Sequence, residues 1–142
     1  MHLFRNYYGY LKKKGHDVSA MIPDPDPAFL HWMPYHDSLW IFNRDTEPCK
    51  KIIRDAELLI SVDYNSLSRF EKASVYLEEA PGKKILIDHH ADPDKVFSLM
   101  ISDIEVSCTA ELVYDFIIQS DDRDLIDKDI AACIYSGIIT DT

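Results

Sequence analysis

Three places in the sequence hold side chains able to do chemistry together. Asp63 follows the apolar run Leu58-Leu-Ile-Ser-Val62. Asp88-His89-His90 follows Ile85-Leu86-Ile87, and Asp92 and Asp94 come next. Asp141 stands in Gly137-Ile-Ile-Thr-Asp141-Thr142. Carboxylates and imidazoles make a mixed donor set that suits Mn²⁺, Mg²⁺ or another hard-to-borderline divalent ion, and suits a thiolate-seeking metal poorly. Successive side chains alternate in extended backbone, so His89 and His90 are expected to point different ways. One imidazole would then take a metal while the other faces a substrate oxygen. Asp88 can accept a hydrogen bond from an imidazole N–H and fix its tautomer. Each feature also has a plainer reading. Asp63 suits a turn or a helix N-cap, the two histidines suit a strand-to-loop transition, and Asp141 suits a frayed end.

The elements that must position these residues alternate in type. Residues 3–14 read as a helix, with Leu3, Tyr7 and Leu11 on one face and Gly15 as its stop. Residues 18–22 read as a strand ended by Pro23, Pro25 and Pro27, and 39–42 as another. A helix over 47–56 leads to the strand 58–62. The spacing of Phe70, Ala73 and Leu77 predicts a helix over 67–79. Strands at 84–87 and 98–101 follow, then helices at 109–119 and 127–138. Near-continuous apolar strands between amphipathic helices predict an α/β fold with a mostly parallel sheet flanked by helices. Ligands in such sheets sit beyond the carboxyl ends of the strands. Asp63 and Asp88-His89-His90 would therefore emerge at one edge.

Bulk properties narrow the class. The chain has 142 residues, about one domain, and 46% of them are hydrophobic, enough for a real core. A formal net charge of −10 argues against a non-specific nucleic-acid coat or an anionic-membrane binder. It leaves room for a phosphate substrate, because bound divalent ions reverse the local field. Cys49, Cys108 and Cys133 form no CxxC pair and read as free thiols of a reducing compartment. With no signal-peptide pattern and no apolar run of about 18 residues, a cytoplasmic location is expected. A dinucleotide-binding fingerprint is missing too: no G-x-G-x-x-G follows any strand, and the chain has only four glycines.

Asp63 after its strand, the Asp88-His89-His90 triplet and GIITDT occur in the order and rough spacing of the DHH phosphoesterase superfamily. That superfamily includes RecJ-like exonucleases, family II pyrophosphatases and the nanoRNase/3′-phosphoadenosine 5′-phosphate phosphatases. The resemblance covers essentially the whole chain, and LKKKGHDV, SCTAELVYDFI and DLIDKDIAACIYSGIITDT look most like the nanoRNase branch. A DHH triplet alone is weak; with GIITDT in register it is specific. The resemblance implies a metal-dependent hydrolysis of phosphodiester or phosphomonoester bonds by two Mn²⁺ or Mg²⁺ ions, without a covalent intermediate. Asp63 would bridge the ions, and His89 and Asp141 would bind one of them. His90 would face the scissile phosphate, and Asp88 would support the histidine pair. The implied substrate is a short oligoribonucleotide or a nucleotide phosphate such as 3′-phosphoadenosine 5′-phosphate. No membrane partner is implied, and a homodimer is compatible.

The sequence also departs from that pattern. The superfamily's first motif is a strand followed by a His and a pair of Asp residues, ahead of the first helix. MHLFRNYYGYLKKKGH reads as that helix already under way. The first strand and its ligands are therefore expected upstream of Met1, and the small C-terminal lid domain beyond Thr142. Pro23-Asp24-Pro25-Asp26-Pro27-Ala28 spells Asp-x-Asp, but it follows the helix, and its three prolines suit an extended loop. His2 at a free terminus is no better substitute. Residues 1–142 thus read as a partial DHH domain that holds one ion at most, with a poorly closed sheet if the missing strand is central. Two functions compete: a phosphoesterase of impaired activity, and a degenerate DHH-like module that works through binding or partners.

Overall fold

The computed structural model describes residues 4–141. Leu3, His2 and Thr142, to which expectations were attached above, lie outside the described residues. Helix α1 (Phe4–Lys13) leads to β1 (Ala20–Ile22). A loop with two short 3-10 turns then reaches β2 (Leu39–Ile41). Next come α2 (Thr46–Asp55) and β3 (Leu58–Val62). A 3-10 stretch over Leu67–Ala73 precedes α3 (Ser74–Glu79). Strands β4 (Lys83–Asp88) and β5 (Leu99–Ser102) and helices α4 (Thr109–Gln119) and α5 (Lys128–Asp141) complete the chain. All strand pairs are parallel, as the near-continuous apolar strands predict.

Helices cover both faces. Tyr7 and Tyr10 of α1, Val113 and Ile117 of α4 and Ile130 and Ile134 of α5 share one core with Val62 and Ile87. On the other face Cys49 and Ile53 of α2 pack with Phe42, Ala73 and Ala80. Leu67, Leu86 and Phe97 form a smaller cluster nearby. Residues Leu86 and Ile87 are 0% and 1% exposed, which makes β4 the buried centre of its sheet.

Two expectations need correction. The strands do not form one sheet. Among the described residues they form a two-stranded sheet, β1-β2, and a three-stranded sheet, β3-β4-β5. The edges of β1 and β3 face each other across a cavity instead of pairing, with Ser19, Ala20 and Met21 on one bank and Leu58–Val62 on the other. The second correction concerns 67–79. This stretch is a 3-10 segment broken at Glu71 (φ 52°) and followed by the short α3. The i, i+3 step from Phe70 to Ala73 matches a 3-10 turn as well as an α-helix, so spacing did not separate the two. Among the described residues, no helix is long and apolar enough to cross a membrane.

Candidate metal centre

The site begins with strand register. Val62 lies opposite Ile87, and the Asp63 N–H donates to the Ile87 carbonyl at 2.9 Å. Asp63 and Asp88 therefore leave two parallel strands side by side, as expected. The backbone of Asp63 then turns left-handed, with φ 68°. That region is costly for most residues, and Asp and Asn are among the few that enter it routinely. Two ties hold the loops behind the site. Asn65 Nδ2 donates to the Ala91 carbonyl at 2.6 Å, and the Leu67 N–H donates to Asp94 Oδ2 at 2.9 Å. Asp94 thus braces a loop.

Asp88 is 0% exposed. Its Oδ2 accepts from the His90 N–H at 3.1 Å, and its Oδ1 lies 2.7 Å from His90 Nδ1. The bond to the backbone two residues on is an Asx turn, which ends the strand at Asp88. His89 and His90 are therefore past the extended segment, and the expected alternation fails. Their rings sit 4.3 Å apart at 56° and face the same carboxylate. His89 Nε2 is 3.7 Å from Asp63 Oδ1, and His90 Nδ1 is 3.8 Å from the same oxygen. Asp63, His89 and His90 each offer one ligand atom, and those atoms all lie within 4.8 Å of one another.

Thr109, fully buried at the start of α4, was not singled out by the sequence. Its hydroxyl donates to Asp63 Oδ1 at 2.9 Å. Nothing in SCTAEL marks the residue, because the contact spans 46 positions. Burial is the main cause that pushes the Asp63 carboxyl above the ordinary carboxylate range. The Thr109 hydrogen bond opposes that shift, and the negative charge of Asp141 adds to it. Asp141 is exposed at the end of α5 and stands outside the tight cluster, though its charge is felt there.

The donor set fits a divalent ion. One carboxylate and two imidazoles converge, and a buried carboxylate holds the Nδ1 of one imidazole. With Nδ1–H given to Asp88, the lone pair of His90 is left on Nε2, a common arrangement around histidine ligands. Asp24 and Asp26 take no part in this cluster. Asp24 accepts from Asn43 Nδ2 at 2.7 Å, and Asp26 forms a buried ion pair with Arg5 of α1.

Comparison with known proteins agrees with this geometry. The profile of the DHH family, N-terminal domain, matches residues 5–138. No curated protein matches. Among solved structures, an exopolyphosphatase-related protein from Bacteroides fragilis is similar at 34% identity and a TM-score of 0.92. The match covers 99% of this chain and 40% of that one, so the chain spans well under half the length of the solved protein. With the profile covering nearly all described residues and the motif residues gathered at one sheet edge, the chain belongs to the DHH family and carries its N-terminal phosphoesterase domain.

Proposed function

We propose that this domain serves metal-dependent hydrolysis of a phosphoester in a short oligoribonucleotide or a 3′-phosphorylated adenosine nucleotide. The observation that carries the reading is the convergence of Asp63, His89 and His90 at the carboxyl edge of β3 and β4, with buried Asp88 behind them. Asp63 and His89 would hold the ion, and Asp141 at the end of α5 adds its negative charge to the site. His90 is oriented by Asp88 and directs its Nε2 toward the phosphoryl group. When bound, a divalent ion there makes water easier to deprotonate and neutralises charge on phosphoryl oxygens. The chain's own contribution is to fix the donors. Asp88 sets the His90 tautomer, Thr109 orients the Asp63 carboxylate, and strand register holds the two aspartates side by side.

The tight grouping favours a second reading for one residue, in which His90 is itself a ligand. Mn²⁺ titration by calorimetry on the wild type and on Asp63→Asn, His89→Ala and His90→Ala separates the roles. Saturable binding lost in the first two variants supports the centre. Loss in His90→Ala as well makes His90 a ligand, whereas intact binding with lost turnover makes it a substrate contact. Turnover is read on a diribonucleotide, on 3′-phosphoadenosine 5′-phosphate and on inorganic polyphosphate, the last because of the name of the Bacteroides fragilis protein. Metal binding without turnover on any of the three would support a non-catalytic binding module instead.

A further inference from the structure

The stretch that follows Asp63 carries an arginine that the metal centre does not use. Leu67 and Phe70 stand three apart in the 3-10 stretch and pack inward with Leu86 and Phe97. Three residues complete one turn of such a helix, so Ser68 and Arg69 are turned off that face. Both are exposed. Among the described residues, the Arg69 guanidinium makes no ion pair and no hydrogen bond. Arg5, Arg44 and Arg54 all pair with carboxylates, the last two with an aspartate one residue on. Arg123 is exposed too, but it follows α4, which starts at the metal edge with Thr109 and runs away from it.

The backbone under Arg69 is held to the loop that follows His90. Asn65 Nδ2 donates to the Ala91 carbonyl at 2.6 Å, and the Asp94 N–H donates to the Asn65 carbonyl at 2.8 Å. Asp94 Oδ2 then accepts from the Leu67 N–H at 2.9 Å. One turn later the Arg69 N–H donates to the Ser66 carbonyl at 3.2 Å. Arg69 is therefore mounted on a turn tied to both loops of the site, six residues after Asp63. Its charge is felt there. Burial is the main cause that raises the Tyr64 hydroxyl, the neighbouring Asp63 adds to it, and the positive charge of Arg69 opposes it.

The chemistry of this residue suits a phosphate. A guanidinium offers two parallel N–H donors that match two phosphoryl oxygens, and it stays charged at any working pH. In a chain with a net charge of −10, an arginine without a carboxylate partner gives an anion a local point of attraction. Arg69 stands outside the cluster of Asp63, His89 and His90, which deals with the reacting phosphoryl group. We propose that Arg69 binds a second phosphate of the substrate, one that the reaction leaves intact. The preferred substrates are then nucleoside bisphosphates and short oligoribonucleotides with a terminal phosphate. This inference rests on the proposed phosphoester hydrolysis and adds the part of the substrate that is recognised but not cleaved.

The test compares 3′-phosphoadenosine 5′-phosphate with adenosine 3′-monophosphate, which lacks the second phosphate. kcat/KM is measured for both on the wild type, Arg69→Ala, Arg69→Lys and Lys95→Ala. The wild type is expected to prefer the bisphosphate, and Arg69→Ala to lower that preference about tenfold, the size of one charged hydrogen bond. Arg69→Lys should keep part of it, because the charge stays and the fork is lost. Lys95 is an exposed cation on the neighbouring loop, and Lys95→Ala should keep the wild-type preference. Both side chains are exposed, so circular dichroism of the variants should match the wild type. An unchanged preference in Arg69→Ala overturns the proposal. So does an equal loss in Lys95→Ala, because general surface charge would then be enough. If neither compound turns over, the proposed hydrolysis has failed by itself, and the same preference is read from dissociation constants measured by calorimetry with Mn²⁺. Equal affinity of the wild type for both compounds, or binding of neither, then overturns the role of Arg69 as well.

Discussion

Asp63 and Asp88 are both acidic, yet they do different work. Asp63 sits in left-handed backbone and faces the imidazoles, whereas Asp88 is sealed behind them. A substitution at Asp63 must therefore keep that conformation. Asn does so, whereas Ala adds backbone strain to the loss of charge, which makes Asp63→Asn the cleaner probe. For Asp88→Asn, the bond to His90 weakens and the ring is free to turn. With His90 facing the phosphoryl group, turnover is expected to fall while Mn²⁺ affinity holds; with His90 as a ligand, affinity falls about 10–100-fold, the usual effect of removing a partner behind a metal-binding histidine. Unchanged affinity together with unchanged turnover would show that His90 needs no such support. The thiols behave otherwise. Cys49, Cys108 and Cys133 are all 0% exposed, and burial pushes the Cys133 thiol up to about 12. Thiolates are the reactive form, so the native chain is expected to resist Ellman's reagent until denatured. Rapid labelling of Cys133 in buffer would contradict its placement between α5 and the loop at Leu30 and Met33.

At the scale of elements, α4 and α1 show how helices hold the sheet edge in place. The inward residues of α4, Ala110, Val113 and Ile117, are all 0% exposed, and the same helix starts at Thr109, which orients Asp63. Ile117→Ala is expected to cost about 2–5 kcal/mol in urea unfolding, as for other buried large-to-small changes. A loss well under 1 kcal/mol would mean that this face is not core. Helix α1 is tied to the turn after α4. Asp122 accepts from Tyr10 Oη at 2.6 Å and pairs with Lys14 at 3.0 Å, and these hydrogen bonds hold its carboxyl below the ordinary range. A depressed carboxyl stabilises the fold above its unfolded value of about 3.9, and that contribution is lost as pH falls through the lower folded value. The stability advantage of wild type over Asp122→Asn should therefore be constant at neutral pH and shrink below about pH 4. A gap that widens on acidification would contradict the assigned direction.

At the scale of the whole molecule, the division into two sheets sets the dynamics. A two-stranded sheet is marginal by itself, whereas β4 has a neighbour on each side and is buried from Leu86 to Asp88. Amide exchange is expected to be slowest at Leu86 and Ile87 and much faster at Ala20–Ile22. Equal protection in β1 and β4 would mean that the sheets are joined in solution. The net charge of −10 is a property of the same scale. It disfavours polyanions over most of the surface, so under the proposed function phosphate recognition would fall to the edge that carries the metal centre.

Much of this was open to reading in the sequence, for local reasons. The bounds of β3 and α4 match the apolar run 58–62 and the helical spacing over 109–119, because hydrophobic periodicity is written residue by residue. The same applies to the pairing of Asp63 with Asp88-His89-His90, since parallel strands of equal character deliver their ends to one edge. Other features depended on partners distant in the chain. Thr109 meets Asp63 only because α4 packs against β4, the strand beside β3, and Asp26 is buried where it pairs with Arg5 of α1. The left-handed turn at Asp63 and the Asx turn at Asp88 decided that both imidazoles face one carboxylate, where strand alternation alone would have parted them. The split of the sheet belongs to tertiary structure as well. A strand's own residues determine that it is a strand, but only the assembled molecule decides which of its edges has a neighbour.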